Sequence, residues 1–168
     1  MSGTAAGGVS VNGAATLVSG TTYRYTFSGG FGFGAVGVDF IAASFADAAA
    51  NDNVAETEGF TVTNSPPTLT DDTITRYPTQ TTKTTVAFLT SNDSDPDMNG
   101  PLTVTAVSPT SANGGTVSLS GGWVFYTPAP GYLGDDTFTY TAEDTLNASS
   151  TATVNVNIIV DNAGATNI

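Results

Sequence analysis

The sequence predicts an all-β fold made of two β-sandwich modules in tandem. Its 168 residues fit one large domain or two small ones. Short runs in which apolar and polar residues alternate are typical of half-buried strands, and long stretches are rich in Thr, whose branched side chain fits a pleated surface. Nineteen glycines and eight prolines interrupt the chain every few residues, as expected for tight turns between short strands.

The boundary between the two modules is predicted at the motif Asn64-Ser65-Pro66-Pro67. Two consecutive prolines remove backbone donors and push the preceding residue towards an extended conformation, so neither a helix nor a strand crosses them easily. We therefore predict a first module over residues 1–63, a Pro-rich linker over residues 64–67 and a second module over residues 68–161.

The second module contains seven strand-like runs separated by turn signals. In the last run, alanine, valine and isoleucine alternate with threonine and asparagine over eight residues. Seven short strands in about 95 residues fit an immunoglobulin-like sandwich without its disulfide. The predicted strands are Thr73–Tyr77, Thr84–Leu89, Leu102–Val107, Thr116–Leu119, Trp123–Tyr126, Thr137–Ala142 and Thr151–Val160.

The first module has fewer strand candidates than a complete sandwich requires. Only about sixty residues carry them, so the module is either minimal and packed on the second or lacks its first strands. The predicted strands are Val9–Val11, Thr22–Phe27, Ala35–Ile41 and Gly59–Thr63, and a short apolar piece lies at Ala15–Val18.

Composition and charge exclude several classes of function. The net charge is −12, and only Arg24, Arg76 and Lys83 are positive. Nucleic acids and anionic membrane surfaces require a cationic patch, so we expect neither as a partner. The sequence has no run of about 18 apolar residues, so we expect no membrane insertion. The sequence contains no His and no Cys, which excludes catalysis by these residues. It also excludes ordinary zinc sites, whose ligands are mainly His and Cys.

An acidic loop is the candidate ion site. Asp93, Asp95 and Asp97 alternate along it, flanked by Asn92 and Asn99. Calcium takes about six to eight oxygen ligands from carboxylates, amides and backbone carbonyls. Alternating carboxylates within a few residues can converge on one such ion, and their mutual repulsion would be relieved by it.

Two alternatives bear on this loop. An EF-hand is excluded, because its sixth position is Met98 instead of glycine and its twelfth is Val104 instead of glutamate. A solvated turn, in which Asp and Asn cap their own backbone, is the other alternative. The spacing alone is compatible with the solvated turn and with calcium equally.

The second module resembles the cadherin-like, immunoglobulin-like tandem repeats of giant bacterial adhesins and RTX-type secreted proteins. The resemblance covers about residues 66–160. It rests on three segments in the family's order: SNDSDPDMNGPLTV, GTVSLSGGWVFYTPAPGYLGDDTFTY and AEDTLNASSTATVNVNI. The end of the first module, VDFIAASFADAAANDNVAETEGFTVTN, is similar to another bacterial immunoglobulin-like repeat of such proteins.

The resemblance also implies a set of calcium ligands. The acidic loop, the Asp before the aromatic strand and the Asp of the following loop match the family's pattern. The departure is Met98-Asn99-Gly100, where the family has Gly-Asp after the third carboxylate. The implied ligands are Asn92, Asp93, Asp95, Asp97, Asp136 and Asp144.

Two further groups of residues receive simpler interpretations. The acids Asp71 and Asp72, near the linker, are predicted to cap turns and be solvated rather than to share an interdomain site with Asp47, Asn51 or Asp52. The aromatic residues Trp123, Phe125 and Tyr126 are predicted to serve core and sheet packing.

These observations lead to one functional expectation and one alternative. We expect a calcium-stabilised structural or adhesive segment of an extracellular, cell-surface repeat protein, without enzyme activity and with neighbouring modules as partners. The alternative is a module that binds a glycan or a protein through an exposed strand edge or an aromatic pair. The pairs considered are Phe31 with Phe33 and Tyr23 with Tyr25, although aromatics spaced by two are usually core residues.

Overall fold

The computed structural model describes residues 7–13, 16–19, 22–42, 50–52 and 54–159. The chain divides into two compact units, Met1–Asn64 and Ser65–Ile168. Helical structure in the described part is limited to α1, Val86–Leu89, and the 3-10 turn Thr90–Asn92 that follows it. The prediction of an all-β fold is confirmed. No helix in the described ranges is long and apolar enough to cross a membrane.

The first unit is built from short antiparallel ladders. In its described residues β1 pairs with β4, β2 with β3 and β5 with β6, and these pairs do not join into larger sheets. The longest pair is β5 with β6, seven residues each. The strands are Ser10–Val11 (β1), Thr16–Ser19 (β2), Thr22–Arg24 (β3), Phe27–Ser28 (β4), Gly34–Phe40 (β5) and Glu56–Val62 (β6).

Aromatic rings pack against one another in the first unit. The Phe31 ring lies edge-on to two others, with centroid distances of 5.7 Å to Phe27 and 5.4 Å to Phe60. This packing favours a core role for Phe31 over a sugar-stacking one. Of the other residues considered above, the Tyr23 side chain and Asp47 lie outside the described part of the chain.

The second unit is a sandwich of two sheets. One sheet has the antiparallel order β10–β11–β8, and the other has the order β7–β13–β12–β9, in which β7 runs parallel to β13. Six of the seven predicted runs coincide with a strand over most of their length, and the exception is Thr84–Leu89. The strands are Asp72–Arg76 (β7), Thr82–Thr85 (β8), Thr103–Val107 (β9), Thr116–Ser120 (β10), Trp123–Thr127 (β11), Asp136–Glu143 (β12) and Ser149–Ile158 (β13).

The core lies between these two sheets. Strand β12 alternates strictly between buried and half-buried residues, and it pairs Phe138 with Val154 and Tyr140 with Ala152 of β13. Each large apolar side chain buried in this way contributes about 1.5–3 kcal/mol. The core residues are Leu89, Val104, Val117, Val124, Tyr126, Phe138, Tyr140, Ala142, Ala152, Val154 and Val156.

The predicted strand Thr84–Leu89 is wrong over its last four residues, because the chain turns into α1 after Thr85. The Thr85 Oγ1 caps the helix by accepting a 3.1 Å hydrogen bond from Phe88 N. The Val86 N donates to Gly122 O at 3.0 Å, and Leu89 is fully buried. A four-residue apolar run has no period that separates a strand from a helical turn.

The residues of the predicted linker are held at one end of the sandwich, which we call the proximal pole. It comprises residues 65–68, the acidic loop 93–99 and the turn 144–148. Here Ser65 N donates to Asp97 Oδ2 at 2.5 Å and Ser150 Oγ donates to Pro67 O at 2.5 Å. The acidic loop meets the turn where Thr145 N donates to Asn99 O at 3.1 Å.

The opposite end, the distal pole, comprises Arg76, residues 111–113, residues 134–136 and the end of β13. There Ile158 N donates to Asp135 Oδ1 at 2.7 Å and Ile159 N donates to Arg76 O at 2.8 Å. The ten residues of β13 separate the two poles by roughly 33 Å. The described part of this unit therefore begins at one pole and ends at the other.

Candidate functional site

The first acid of the proximal loop is tied to the core. Asp93 Oδ1 accepts a hydrogen bond from Thr70 N at 2.8 Å, and Asp93 Oδ2 accepts one from Tyr140 Oη at 2.8 Å. The same hydroxyl lies 3.1 Å from Leu89 O. Burial, together with the bond to Asp93, raises the pKa of Tyr140 far above its usual value. Asp93 therefore anchors the loop to strand β12.

Asp72 lies beside this anchor and was not predicted as part of it. It is only 5% exposed, and its Oδ2 has no hydrogen-bond partner. Burial and the neighbouring Asp93 charge raise the pKa of Asp72 to about 6. Interactions with Tyr140 and Asn92 lower this pKa, but by less. The prediction of a solvated turn residue is wrong for Asp72, because it begins β7 on the same face as Ile74 and Arg76.

Asp95 organises the middle of the acidic loop. Its Oδ1 accepts hydrogen bonds from Asp97 N and Asn99 N, both at 2.9 Å. Its Oδ2 is buried and has no hydrogen-bond partner. Because a buried carboxylate oxygen without a donor is costly, this atom is the least satisfied part of the loop.

Asp144 closes the turn between β12 and β13. Its Oδ1 accepts from Leu146 N at 2.8 Å and from Ala148 N at 2.9 Å, and the residue is 5% exposed. Asn92, the last residue of the 3-10 turn, also lies at this pole, where it hydrogen-bonds to Asp72. The proximal pole thus brings together five of the six predicted calcium ligands, all except Asp136.

These five residues do not form a ready-made metal cage. Within the described ranges, no group of three or more acidic side chains is arranged so that it could hold an ion. Their carboxylates mostly accept backbone N–H groups in turns, and Asp95 Oδ2 is the loop oxygen left without a partner. Any ion here would need backbone carbonyls or water to complete its shell.

Asp136 lies at the distal pole and has a structural role there. Its Oδ2 accepts from Ser111 Oγ at 2.6 Å and from Tyr126 Oη at 2.8 Å. Its Oδ1 accepts from Asn113 N at 2.9 Å, Asn113 Nδ2 at 3.2 Å and Thr137 N at 2.8 Å. Burial alone would raise the pKa of Asp136, but these hydrogen bonds outweigh it and lower the pKa.

The position of Asp136 removes it from the candidate ion site. Asp136 and Asp144 flank strand β12 from opposite ends, roughly 26 Å apart along eight residues. Five donors already occupy the Asp136 carboxylate. The sequence motif marks an Asp that is buried and structurally important, but its partners are hydrogen-bond donors of the protein.

A buried arginine accompanies Asp136. Arg76 is 2% exposed, donates from Nη2 to Gly134 O at 2.9 Å, and lies 5.7 Å above the centre of the Tyr126 ring. Burial and the bond to Asp136 raise the pKa of Tyr126 to about 12. The cation offsets part of the buried negative charge at this pole.

An apolar groove of about 480 Å³ opens between α1 and β9. Its lining includes Val86, Leu102, Val104 and Leu119, and none of the lining side chains is ionisable. The groove therefore offers no group for acid–base chemistry.

The outer surface of the three-stranded sheet carries aromatic residues that were assigned to packing. Tyr126 belongs to the core as predicted, but Trp123 is 38% exposed and Phe125 is half-buried on the opposite face of β11. Lys83 Nζ lies 4.1 Å from the centre of the Trp123 ring. Tyr126 therefore has the core role, whereas Trp123 and Phe125 lie on the outside of the sheet.

The match to a protein family agrees with the sandwich geometry of the second unit. A bacterial Ig domain family matches residues 64–157, which is more than half of the chain. No curated protein matches the chain. Among solved structures, an endo-fucoidan hydrolase of glycoside hydrolase family 107 is similar over 90% of this chain and 23% of its own, with 15% identity and a TM-score of 0.37. The chain thus spans about a quarter of that enzyme's length. By the family match, this chain belongs to the bacterial Ig domain family.

Proposed function

We propose that this chain is a non-catalytic structural and adhesive segment of a larger extracellular surface protein, built from two modules in tandem. One observation carries the proposal: in the described part of the second unit, the chain starts at the proximal pole, at Ser65, and its last strand ends at the distal pole, at Ile158. A module with its ends at opposite poles lengthens a protein when repeated, and its partners are then neighbouring modules. Bacterial Ig-like domains are commonly parts of extracellular surface proteins.

We further propose that calcium stiffens the proximal pole. The supporting observation is Asp95 Oδ2, a buried oxygen without a donor in a loop whose other acids, Asp93 and Asp97, lie within a few residues. Asp95 and Asp97 would hold the ion, and it would supply the positive charge that this loop lacks. Extracellular modules bind calcium at about 10⁻⁴–10⁻³ M, so the ion would be bound outside the cell and released inside it.

Surface labelling of the producing bacterium tests the main proposal. Antibodies raised against residues 64–157 should label intact cells, and mild protease treatment of those cells should remove the signal. A cytoplasmic marker protein should stay protected in the same sample. Labelling that appears only after the cells are broken open would contradict an extracellular role.

A further inference from the structure

The outer surface of the β10–β11–β8 sheet, here called the aromatic face, has a composition unlike the rest of the protein. Alternation along the strands buries Thr84, Val117, Val124 and Tyr126 in the sandwich and turns their neighbours outward. The aromatic face consists of Lys83, Thr85, Ser118, Ser120, Trp123 and Phe125.

The strand register arranges these six side chains in two rows. Trp123 lies between Thr85 and Ser120, and Phe125 lies between Lys83 and Ser118. Adjacent strands are about 4.8 Å apart, so each row spans about 10 Å. The result is a surface with an aromatic ring at the middle of each row and hydroxyl groups or an amine at its sides.

The aromatic face is also separated from the protein's negative charge. The chain has 15 acidic residues, yet residues 77–92 and 108–134, which include all three strands of this sheet, contain none. Lys83 is the only lysine of the chain, and it lies on this face against Trp123. A polyanion is repelled by most of a protein of net charge −12, but not by this surface.

We propose that the aromatic face binds an acidic polysaccharide, one that carries carboxylate groups on its sugar rings. The negative π-face of an aromatic ring attracts the slightly positive C–H groups on one side of a sugar. The Ser and Thr hydroxyls both donate and accept hydrogen bonds, as sugar hydroxyls require, and Lys83 pairs with the acidic group. This assignment goes beyond the structural role proposed above.

The contact between Lys83 and Trp123 is compatible with this role. Both side chains are exposed, and a cation–π contact at an exposed site is weak. An anionic group on the ligand draws the ammonium away from the ring and leaves that ring face open for a sugar. Binding of the anionic group by Lys83 therefore also exposes the Trp123 ring to the sugar.

Fluorescence titration of the full chain tests the proposal directly, because Trp123 is the only tryptophan and reports on this face alone. Addition of polygalacturonate should change the Trp123 emission in a saturable way. Neutral dextran should bind at least tenfold more weakly. Salt should weaken the polygalacturonate binding, because an exposed charge pair is screened.

Two variants and two matched controls locate the site. Lys83→Gln keeps the fluorescent reporter and should weaken binding at least tenfold, whereas Arg24→Gln removes an equal charge from the first unit and should not. Trp123→Thr keeps a strand-forming residue and should abolish binding measured by calorimetry. Leu133→Ser, which removes an apolar residue that is 60% exposed elsewhere in the second unit, should retain it.

Three results of the polysaccharide titrations would overturn the assignment. These are an absence of binding to polygalacturonate, equal binding of polygalacturonate and dextran, and wild-type affinity in both Lys83→Gln and Trp123→Thr. A concentration-dependent emission change without any polysaccharide, matched by self-association in sedimentation, would show that a second copy covers the face and would also overturn it.

Discussion

Tyr126 Oη donates a 2.8 Å hydrogen bond to Asp136 Oδ2, and this bond crosses the sandwich from the three-stranded to the four-stranded sheet. Both residues are buried, so neither group has water as a substitute partner. The same carboxylate gathers Ser111 and Asn113 from the connection that leads into β10. Asp136 thereby fixes the relative position of the two sheets at the distal pole.

Tyr126→Phe should lower the free energy of unfolding by about 1–3 kcal/mol, because it leaves a buried carboxylate oxygen with one donor fewer. Chemical denaturation would measure the loss. Tyr132→Phe is the matched control: its hydroxyl bonds to Asp135 O in an exposed setting, so its loss should be several-fold smaller. Equal losses in the two variants would contradict a special role for the bond across the sandwich.

Asp72→Asn should stabilise the protein at neutral pH. The folded-state pKa of Asp72, about 6, lies above the ordinary value of 3.8. The folded protein therefore holds a proton that the unfolded chain has lost, and stability falls as pH rises from about 4 to 6. Above pH 6, the ionised Asp72 lowers the free energy of unfolding by up to about 3 kcal/mol.

Melting temperatures of wild type and Asp72→Asn between pH 4 and pH 8 would measure this effect. The difference should be small near pH 4 and favour the variant above pH 6. Asp71→Asn alters the exposed neighbour and should preserve the wild-type pH dependence. A difference between wild type and Asp72→Asn that does not vary with pH would argue against the protonation of Asp72.

Calcium at about 2 mM should raise the melting temperature of the protein, and a chelator should reverse the rise. With the affinity typical of extracellular modules, the stabilisation amounts to about 0.6–1.8 kcal/mol. Asp95→Asn should remove at least half of the calcium-dependent increase. Asp135→Asn, which removes an acidic residue at the distal pole, should keep the whole calcium-dependent increase. A melting temperature indifferent to calcium and chelator would eliminate the calcium proposal.

Thr85→Ala should destabilise the second unit by about 0.5–2 kcal/mol, because it removes the hydroxyl that caps helix α1. Thr85→Ser retains a capping oxygen and should recover most of the loss. Thermal unfolding of the two variants gives the comparison. If serine were no better than alanine, the loss would arise from strand β8 and not from the cap.

The sequence by itself determined the two-sheet fold of the second unit. Its strands carry period-2 patterns long enough to leave no competing period, as in β12 and β13. The boundary between the two units is also predicted from local sequence, because Pro66 and Pro67 restrict their own backbone. Asn92, Asp93, Asp95, Asp97 and Asp144 meet at one pole because four of them share one loop and the fifth follows β12.

Only the tertiary structure decided the features that depend on what lies opposite a residue. The helical turn at Val86 needs the Gly122 carbonyl from another hairpin, and the burial of Asp72 follows from its neighbours in the sandwich. Asp136 was separated from the acidic loop by the length of one strand. The outward position of Trp123 follows from strand register. These outcomes depend on contacts between residues distant in sequence, and a sequence pattern records only local preferences.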